Sequence, residues 1–563
     1  MQLRPLTQET MLFHKTTSIV LAAITCAVIS TGSYGQTSSL LLESSQPLRA
    51  QLSTNAQRLL LTMPASHIVQ LRFVSEGVHL DLRDGRGKHL RRLVEDGRGA
   101  VTVTWITQGA DQEQLWVVAA NQKSHSRSFT AQVVNVFPMK GVERPQADDP
   151  PMGLSLQQLQ QTLAQGQTTD TFWREVQQRG TPLVEPWDNG KRLVTFLWRD
   201  EGNQNVRLFG SPSGDHNPLR KLQGSDVWWT SVVMDSRARL SYALAPDVPK
   251  VENPTQQRRM ILSTLQRDPL NPKVFPASLE GNAMDVYQGR SLLVLPDAPT
   301  QPWVQDGETT LQGKLNRYVM HSKVLDNTRD VFTYAPASAT PQALLVLFDA
   351  HAFLKDVNTP RILDKLIADG ILPPTAVVLV GNASPEARAI ELPPNPKFAQ
   401  FIAQELMPWV QMQGLSQLAR NTVVAGSSYG GLVSSYLGLQ HPELFGNVLS
   451  MSGSFWWSPQ GEASGWMQRA WQGLTEPMPH VRFYLDAGLY ETGRGGRDGI
   501  LETTRELSDI LRKRGLTVTQ REWVSGHDYA QWQSSLGCGL VALLAPKHFQ
   551  NSRLQACAGA RTE

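Results

Sequence analysis

The sequence predicts a multidomain protein in which two N-terminal β-sandwich modules precede a C-terminal domain built on a mainly parallel sheet flanked by helices. Three observations predict it. Residues 40–138 run in short alternating apolar and polar stretches broken by Gly, Asp and Asn, the period-two pattern of strands with one buried face. Strand-like runs return between about 190 and 248. From about 312 to 546, short β-branched apolar runs alternate with helical stretches, as expected where crossover helices cover both faces of a parallel sheet.

The bulk composition agrees with a large globular protein. A chain of 563 residues with 40% hydrophobic content has ample core for three domains, and a charged fraction of 18% is too low for a disordered chain. A net charge of +3 is nearly neutral at this size. Together with the absence of interleaved aromatic and basic patterns, it argues against a nucleic-acid partner. Three cysteines at these spacings make no metal site, and nothing in the chain calls for a cofactor.

The elements follow in order. Residues 1–35 read as a signal peptide: Arg4, His14 and Lys15 precede the apolar run Ile19-Val20-Leu21-Ala22-Ala23-Ile24-Thr25-Cys26-Ala27-Val28-Ile29, and small residues lead to a cleavage point after Gly35. A start at Met11 would shorten it. Thr25 suits lipidation of Cys26 poorly. The apolar run is short for a membrane span, and no other stretch reaches about 18 apolar residues, so no stable membrane span is expected and the mature protein is expected in the periplasm or outside the cell. Residues 40–140 then form a small β-sandwich similar to the pre-peptidase C-terminal type, a spacer or stabilising module in preference to a carbohydrate binder. Its strands are read over 67–74, 78–82, 101–105, 115–118 and 129–134. Residues 141–170 are a linker, Arg144-Pro145-Gln146-Ala147-Asp148-Asp149-Pro150-Pro151, and a Leu- and Gln-rich helix over 155–164. A second β module covers 171–310, the helix-flanked sheet 311–546, and a polar tail 547–563. Cleavage of the leader leaves Cys538 and Cys557, which most simply pair in an oxidising compartment, with two buried thiols as the alternative.

The chemistry centres on Gly426-Ser427-Ser428-Tyr429-Gly430. A β-branched strand, Asn421-Thr422-Val423-Val424-Ala425, precedes it and a helical stretch follows. Strand, tight glycine turn and helix make a nucleophile elbow of the α/β-hydrolase kind, with Ser428 at the tip. In that order the acid and the histidine come later in the chain. Of His441, His480, His527 and His548, only His527 lies in a glycine loop after a late strand, in Ser525-Gly526-His527-Asp528, and it is the expected base. The acid belongs in the loop after the preceding strand, Asp486-Ala487-Gly488-Leu489-Tyr490-Glu491. Glu491, beyond the strand's end, is the expected acid, with Asp486, still within the strand, as the alternative. The oxyanion calls for two preorganised amide donors, one on the residue after the nucleophile. Tyr429 supplies that one, and the His351 amide, in the turn after the apolar run Ala343-Leu344-Leu345-Val346-Leu347-Phe348, is the candidate for the other.

At this point the chain resembles a known family. From about residue 170 to 545 it is similar to the enterochelin (ferric enterobactin) esterases, within the esterase-D-like α/β-hydrolases. The stretches that carry the resemblance are Val194-Thr195-Phe196-Leu197-Trp198-Arg199-Asp200, Gly224-Ser225-Asp226-Val227-Trp228-Trp229, Asp268-Pro269-Leu270-Asn271-Pro272, Leu347-Phe348-Asp349, Arg388-Ala389-Ile390-Glu391-Leu392-Pro393, the elbow, Ser450-Met451-Ser452-Gly453-Ser454-Phe455-Trp456-Trp457 and Gly526-His527-Asp528. The resemblance implies cleavage of ester bonds in the serine trilactone of a tri-catecholate siderophore, and a triad of Ser428, Glu491 and His527. The chain departs from the family at Asp349-Ala350-His351, where glycine usually follows the aspartate, and at Leu485-Asp486-Ala487, where glutamate is frequent.

A ferric tri-catecholate is a bulky anion of charge about −3 with flat aromatic faces, so its pocket should combine cations with aromatic walls. Arg388, Arg494 and Arg497 are the candidate cations, and Trp456 and Trp457 the candidate walls. The alternatives are a solvated glycine loop for Arg494 and Arg497 and core packing for the two tryptophans. The sequence leaves open the ferric or iron-free form of the siderophore, the oligomeric state, a general or feruloyl-type carboxylesterase activity, and a siderophore-binding role without catalysis.

Overall fold

The computed structural model describes residues 39–559 apart from 43–45, 53–54, 62, 110–112, 121–126, 211, 213–215, 278–284, 305–309, 337–338, 476–479, 494, 550–555 and 558. The expected signal peptide, with Cys26, therefore lies outside the described residues, as does Arg494.

The first β region is one hydrogen-bonded seven-stranded sheet over Ser39–Pro138. Its spine is a pair of 18-residue strands, His67–Asp84 and His89–Ile106. A break at Gly77 was expected from the sequence, giving two short strands, but the strand runs through. Gly77 takes φ 68° and the pairing register shifts between Glu76 and Val78. A glycine at positive φ absorbs one extra residue as a bulge, and a bulge bends a strand without ending it. Phe73, Val78, Leu80, Val117 and Phe129 form this region's core.

Two helices, Leu154–Ala164 and Asp170–Arg179, lead into the second β region. There a four-stranded sheet, containing Arg192–Arg199 and Val227–Met234, and a five-stranded sheet, containing Val206–Gly210 and Arg239–Pro246, share one apolar cluster that includes Val194, Phe196, Leu208, Leu240 and Tyr242. In the aromatic pair Phe196 and Tyr242 the ring centroids lie 4.9 Å apart, edge to face.

The C-terminal domain carries an eight-stranded sheet in the order Gly313–Ser322, Asn327–Pro336, Thr375–Val380, Ala343–Phe348, Thr422–Ser427, Asn447–Met451, Arg482–Gly488, Thr517–Trp523. The first two strands pair antiparallel, the second also antiparallel to Thr375–Val380, and the remaining pairs are parallel. The central strands are apolar without alternation because both faces are covered. Leu344, Val346 and Phe348 point into one core with Leu432, Val433 and Leu437 of the helix Tyr429–Gln440. Leu345 and Leu347 point into the other with Leu536, Leu540 and Val541 of the helix Tyr529–Leu544. A parallel sheet places all its strand-to-helix turns along one edge, so residues far apart in sequence converge there.

Cys538, buried in the helix Tyr529–Leu544, is bonded to Cys557, their Cα atoms 5.5 Å apart. Arg521 Nε donates to the Cys557 carbonyl at 2.9 Å, tying the same segment to the sheet. Peptide mapping of unreduced protein should recover the two cysteines linked. With a sequence separation of 19, reduction should remove about 3 kcal/mol of stability and lower the melting temperature. Recovery of both as free thiols would contradict the pairing.

Candidate active site

The strand Thr422–Ser427, buried along its whole length, delivers the chain to a turn from which the helix Tyr429–Gln440 departs. Ser428 occupies that turn at φ 58°, ψ −122°, a conformation costly for a residue with a side chain and tolerated where surrounding structure enforces it. Enforcement is visible on both sides. The Ser428 amide donates to the Met451 carbonyl at 3.0 Å, and its own carbonyl accepts from the Ser454 amide at 3.1 Å. A Cβ at Gly426 would sit 2.6 Å from the Gly430 backbone, so strand and helix close this tightly only with glycine there. Ser428 Oγ lies 3.3 Å from Ser454 Oγ.

His527 stands in the loop between the strand Thr517–Trp523 and the helix Tyr529–Leu544. Its Nδ1 is 2.6 Å from Glu491 Oε1. The other carboxylate oxygen, Glu491 Oε2, accepts from the Gly488 amide at 2.6 Å and from Ser452 Oγ at 2.7 Å. Ser452 Oγ accepts in turn from Trp532 Nε1 at 3.1 Å, and the Trp532 ring meets the His527 ring edge to face, centroids 4.8 Å apart. The His527 side chain is 42% exposed and that of Glu491 only 4%, so the carboxylate is held dry while the imidazole opens to solvent.

Between the two carboxylates the sequence left open, the structure pairs His527 with Glu491. Asp486 is fully buried within the strand Arg482–Gly488, where it accepts from Trp523 Nε1 at 3.1 Å and from the Ser452 amide at 3.3 Å. Burial pushes its pKa up to about 7; the nearby charge of Glu491 adds to the rise, and the hydrogen bond from Trp523 offsets part of it.

Tyr429 is the first residue of the elbow helix, and His351 the second of the helix Ala350–Lys355 that follows the strand Ala343–Phe348. Amides in a helix's first turn have no intrahelical acceptor, and the two strands are sheet neighbours, so both turns share one edge. The His351 side chain is 63% exposed, with Nε2 3.3 Å from Asp330 Oδ2. Asp349, at φ 58°, forms the turn between strand and helix. Its carboxylate accepts from Asn382 Nδ2 at 2.7 Å and from Arg388 through Nε at 2.6 Å and Nη2 at 2.8 Å. Arg388 is thus bound bidentately to the turn that carries His351, its guanidinium 5.8 Å from the Tyr429 ring. Burial lowers the Arg388 pKa, but the Asp349 carboxylate outweighs it and the net shift is upward.

A cleft of about 840 Å³ opens on this edge, lined among others by Trp456, Tyr490, Glu491, Arg497, Gly526 and His527. The two tryptophans part company. Trp456 is 40% exposed on the cleft, its ring centroid 6.2 Å from that of Tyr429. Trp457 packs on the core, edge-on to Trp466. Arg497 is exposed at the cleft wall. His441 pairs with Glu443, 3.0 Å away, and His480 lines a different hollow, beside Arg482 and Leu544. Ser452, Ser454 and Trp532 were not singled out from the sequence. The two serines fall in the stretch Ser450–Trp457 that carries the resemblance, and their contacts depend on pairings across the fold. Among the described residues no cluster of His, Cys, Asp and Glu has the arrangement of a metal site, and no helix is long and apolar enough to cross a membrane.

Residues 322–543 match the model of a putative esterase family, and residues 193–304 match that of the enterochelin esterase N-terminal region. An iron(III) enterobactin esterase of Dickeya dadantii is 30% identical over 407 residues, which is 67% of this chain and 93% of that protein. An iron(III) salmochelin esterase of Escherichia coli is 28% identical over 66% of this chain and 93% of its own length. Among solved structures, the enterobactin esterase of Shigella flexneri in the presence of enterobactin superimposes with a TM-score of 0.55 at 28% identity, covering 67% of this chain and 98% of that one. Both the β-module and the hydrolase segment are matched, and the relatives align over almost their whole length, so this chain belongs to the enterochelin esterase family and is a hydrolase.

Proposed function

We propose that this protein is an exported serine esterase that hydrolyses the ester bonds of a tri-catecholate siderophore of the enterobactin type, or of its linear fragments, through an acyl-enzyme. The observation that carries the reading is the convergence of Ser428 at a strained elbow with a His527–Glu491 pair on the same sheet edge. Glu491 holds Nδ1 protonated, which leaves Nε2 free to act as base. Ser428 Oγ attacks the ester carbonyl carbon while its proton passes to His527 Nε2, and the oxyanion is met by the Tyr429 and His351 amides. Collapse breaks the C–O bond, and the leaving alkoxide takes the proton from His527. Water then repeats the sequence on the acyl-enzyme, releasing the acid and restoring Ser428.

The substrate class is supported by the names of the relatives, iron(III) enterobactin and salmochelin esterases, and by a cleft with an indole wall at Trp456 and a cation at Arg497. Export is supported by the leader-like residues 1–35 and by the Cys538–Cys557 bond, since such bonds persist in oxidising compartments. Turnover measured side by side on the cyclic trilactone, its ferric complex and a simple aryl ester tests the substrate. A preference for the aryl ester over both trilactone forms would overturn it.

The cations make a sharper expectation. Arg497→Gln should raise KM for the ferric complex several-fold more than for the iron-free trilactone, and more at low ionic strength, where screening is weakest. Arg388→Gln should instead lower kcat on both, because it removes the bidentate tie to Asp349 that steadies the turn bearing His351. Equal KM responses to Arg497→Gln would make its loop a solvated turn and leave recognition to the aromatic wall.

A further inference from the structure

The loop bearing His527 is tied to the second β region as well as to its own domain. Asp528, the next residue, is buried and caps the helix Tyr529–Leu544, Oδ1 accepting from the Ala530 amide at 2.9 Å. The same carboxylate takes both donors of Ser241, a buried residue on the strand Arg239–Pro246: Ser241 Oγ donates to Oδ1 at 2.9 Å and the Ser241 amide to Oδ2. Two residues back, the Arg239 amide donates to the Val524 carbonyl at 3.3 Å. Val524 belongs to the apolar cluster of Phe196, Leu240 and Tyr242, and Leu489 and Tyr490, the residues just before Glu491, pack against it. The loops carrying acid and base therefore rest on one surface supplied from outside the hydrolase sheet.

A buried carboxylate with three donors fixed in place admits little movement, because breaking any one bond leaves an unsatisfied buried group. Such a group next to the imidazole sets where the imidazole stands. We propose that Ser241 and Asp528 are positioning residues of the active site, a clamp through which the second β region seats the His527 loop against Glu491. The inference rests on His527 acting as the base of the proposed esterase.

The test uses the full chain and two conservative variants. Ser241→Ala removes one donor. Asp528→Asn keeps the helix cap, at which Asn serves as well as Asp, but turns one accepting oxygen into an NH2 facing Ser241. On p-nitrophenyl acetate, assayed well below each variant's melting temperature, each should lower kcat by about 10- to 100-fold with KM nearly unchanged, the expected consequence of a base displaced by a fraction of an ångström. Labelling of Ser428 by a neutral fluorophosphonate should slow in the same proportion. The double variant should be no slower than Asp528→Asn alone, since both changes break one unit, and Ser241→Thr, which keeps the hydroxyl, should recover most of the rate. If both single variants keep kcat within about twofold while only the melting temperature falls, the contacts are structural and the proposal is overturned; should Asp528→Asn fail to fold, Ser241→Ala and its threonine rescue still decide. Undiminished hydrolysis by His527→Ala is a separate result, which overturns the function reading and this inference with it.

Discussion

Replacement of Ser428 by alanine is expected to lower ester hydrolysis by at least about 10³-fold, leaving only what oxyanion donors and binding supply. The fold should not notice. Alanine accepts φ 58° no worse than serine does, and among the described residues the hydroxyl's one hydrogen bond is to Ser454 Oγ at 3.3 Å, so the stability change should stay within about 0.5 kcal/mol. Near-ultraviolet circular dichroism and ligand binding should match the parent. A residual rate within about tenfold of the parent would remove Ser428 as nucleophile. His527→Ala should cost nearly as much, because an unactivated hydroxyl is a poor nucleophile.

The second expectation separates two carboxylates. Glu491→Gln should lower kcat by about 10²- to 10⁴-fold, since the amide can present its NH2 to Nδ1 and turn the imidazole to the wrong tautomer. Asp486→Asn should act chiefly on stability. With its pKa raised to about 7 by burial, Asp486 keeps its proton in the folded state over a range in which the unfolded chain, near 4, has lost it. The folded state then binds more protons, so this group's contribution to stability falls as pH rises from about 4 to about 7. Asp486→Asn should remove that part of the slope, read as the difference between wild-type and variant melting temperatures across the window. If Asp486→Asn harms kcat more than Glu491→Gln in folded protein, the acid is misassigned.

What the chain determined by itself is what lies in contiguous residues. The elbow is a strand, a strained turn and a helix within about twenty positions, and glycine is demanded by the turn's own geometry, so Ser428 could be read directly. Chain order left four histidines, of which the glycine loop after a late strand pointed to His527 as the expected base, and the doubly buried strands announced themselves as unbroken apolar runs. What only the tertiary structure decided depends on side-chain direction and on partners far away. Asp486 and Glu491 lie five residues apart and look equivalent on paper; Trp523 Nε1 and the Ser452 amide capture the first, which leaves the second for His527. Trp456 and Trp457 are neighbours that face opposite ways, one to the cleft and one to Trp466. That Asp349, 39 residues away, holds the Arg388 guanidinium is likewise decided by the fold. The tie from Ser241 to Asp528 spans 287. Local backbone preference is written in short windows, but the choice of a hydrogen-bond partner is made by packing between elements that the chain brings together only after it has folded.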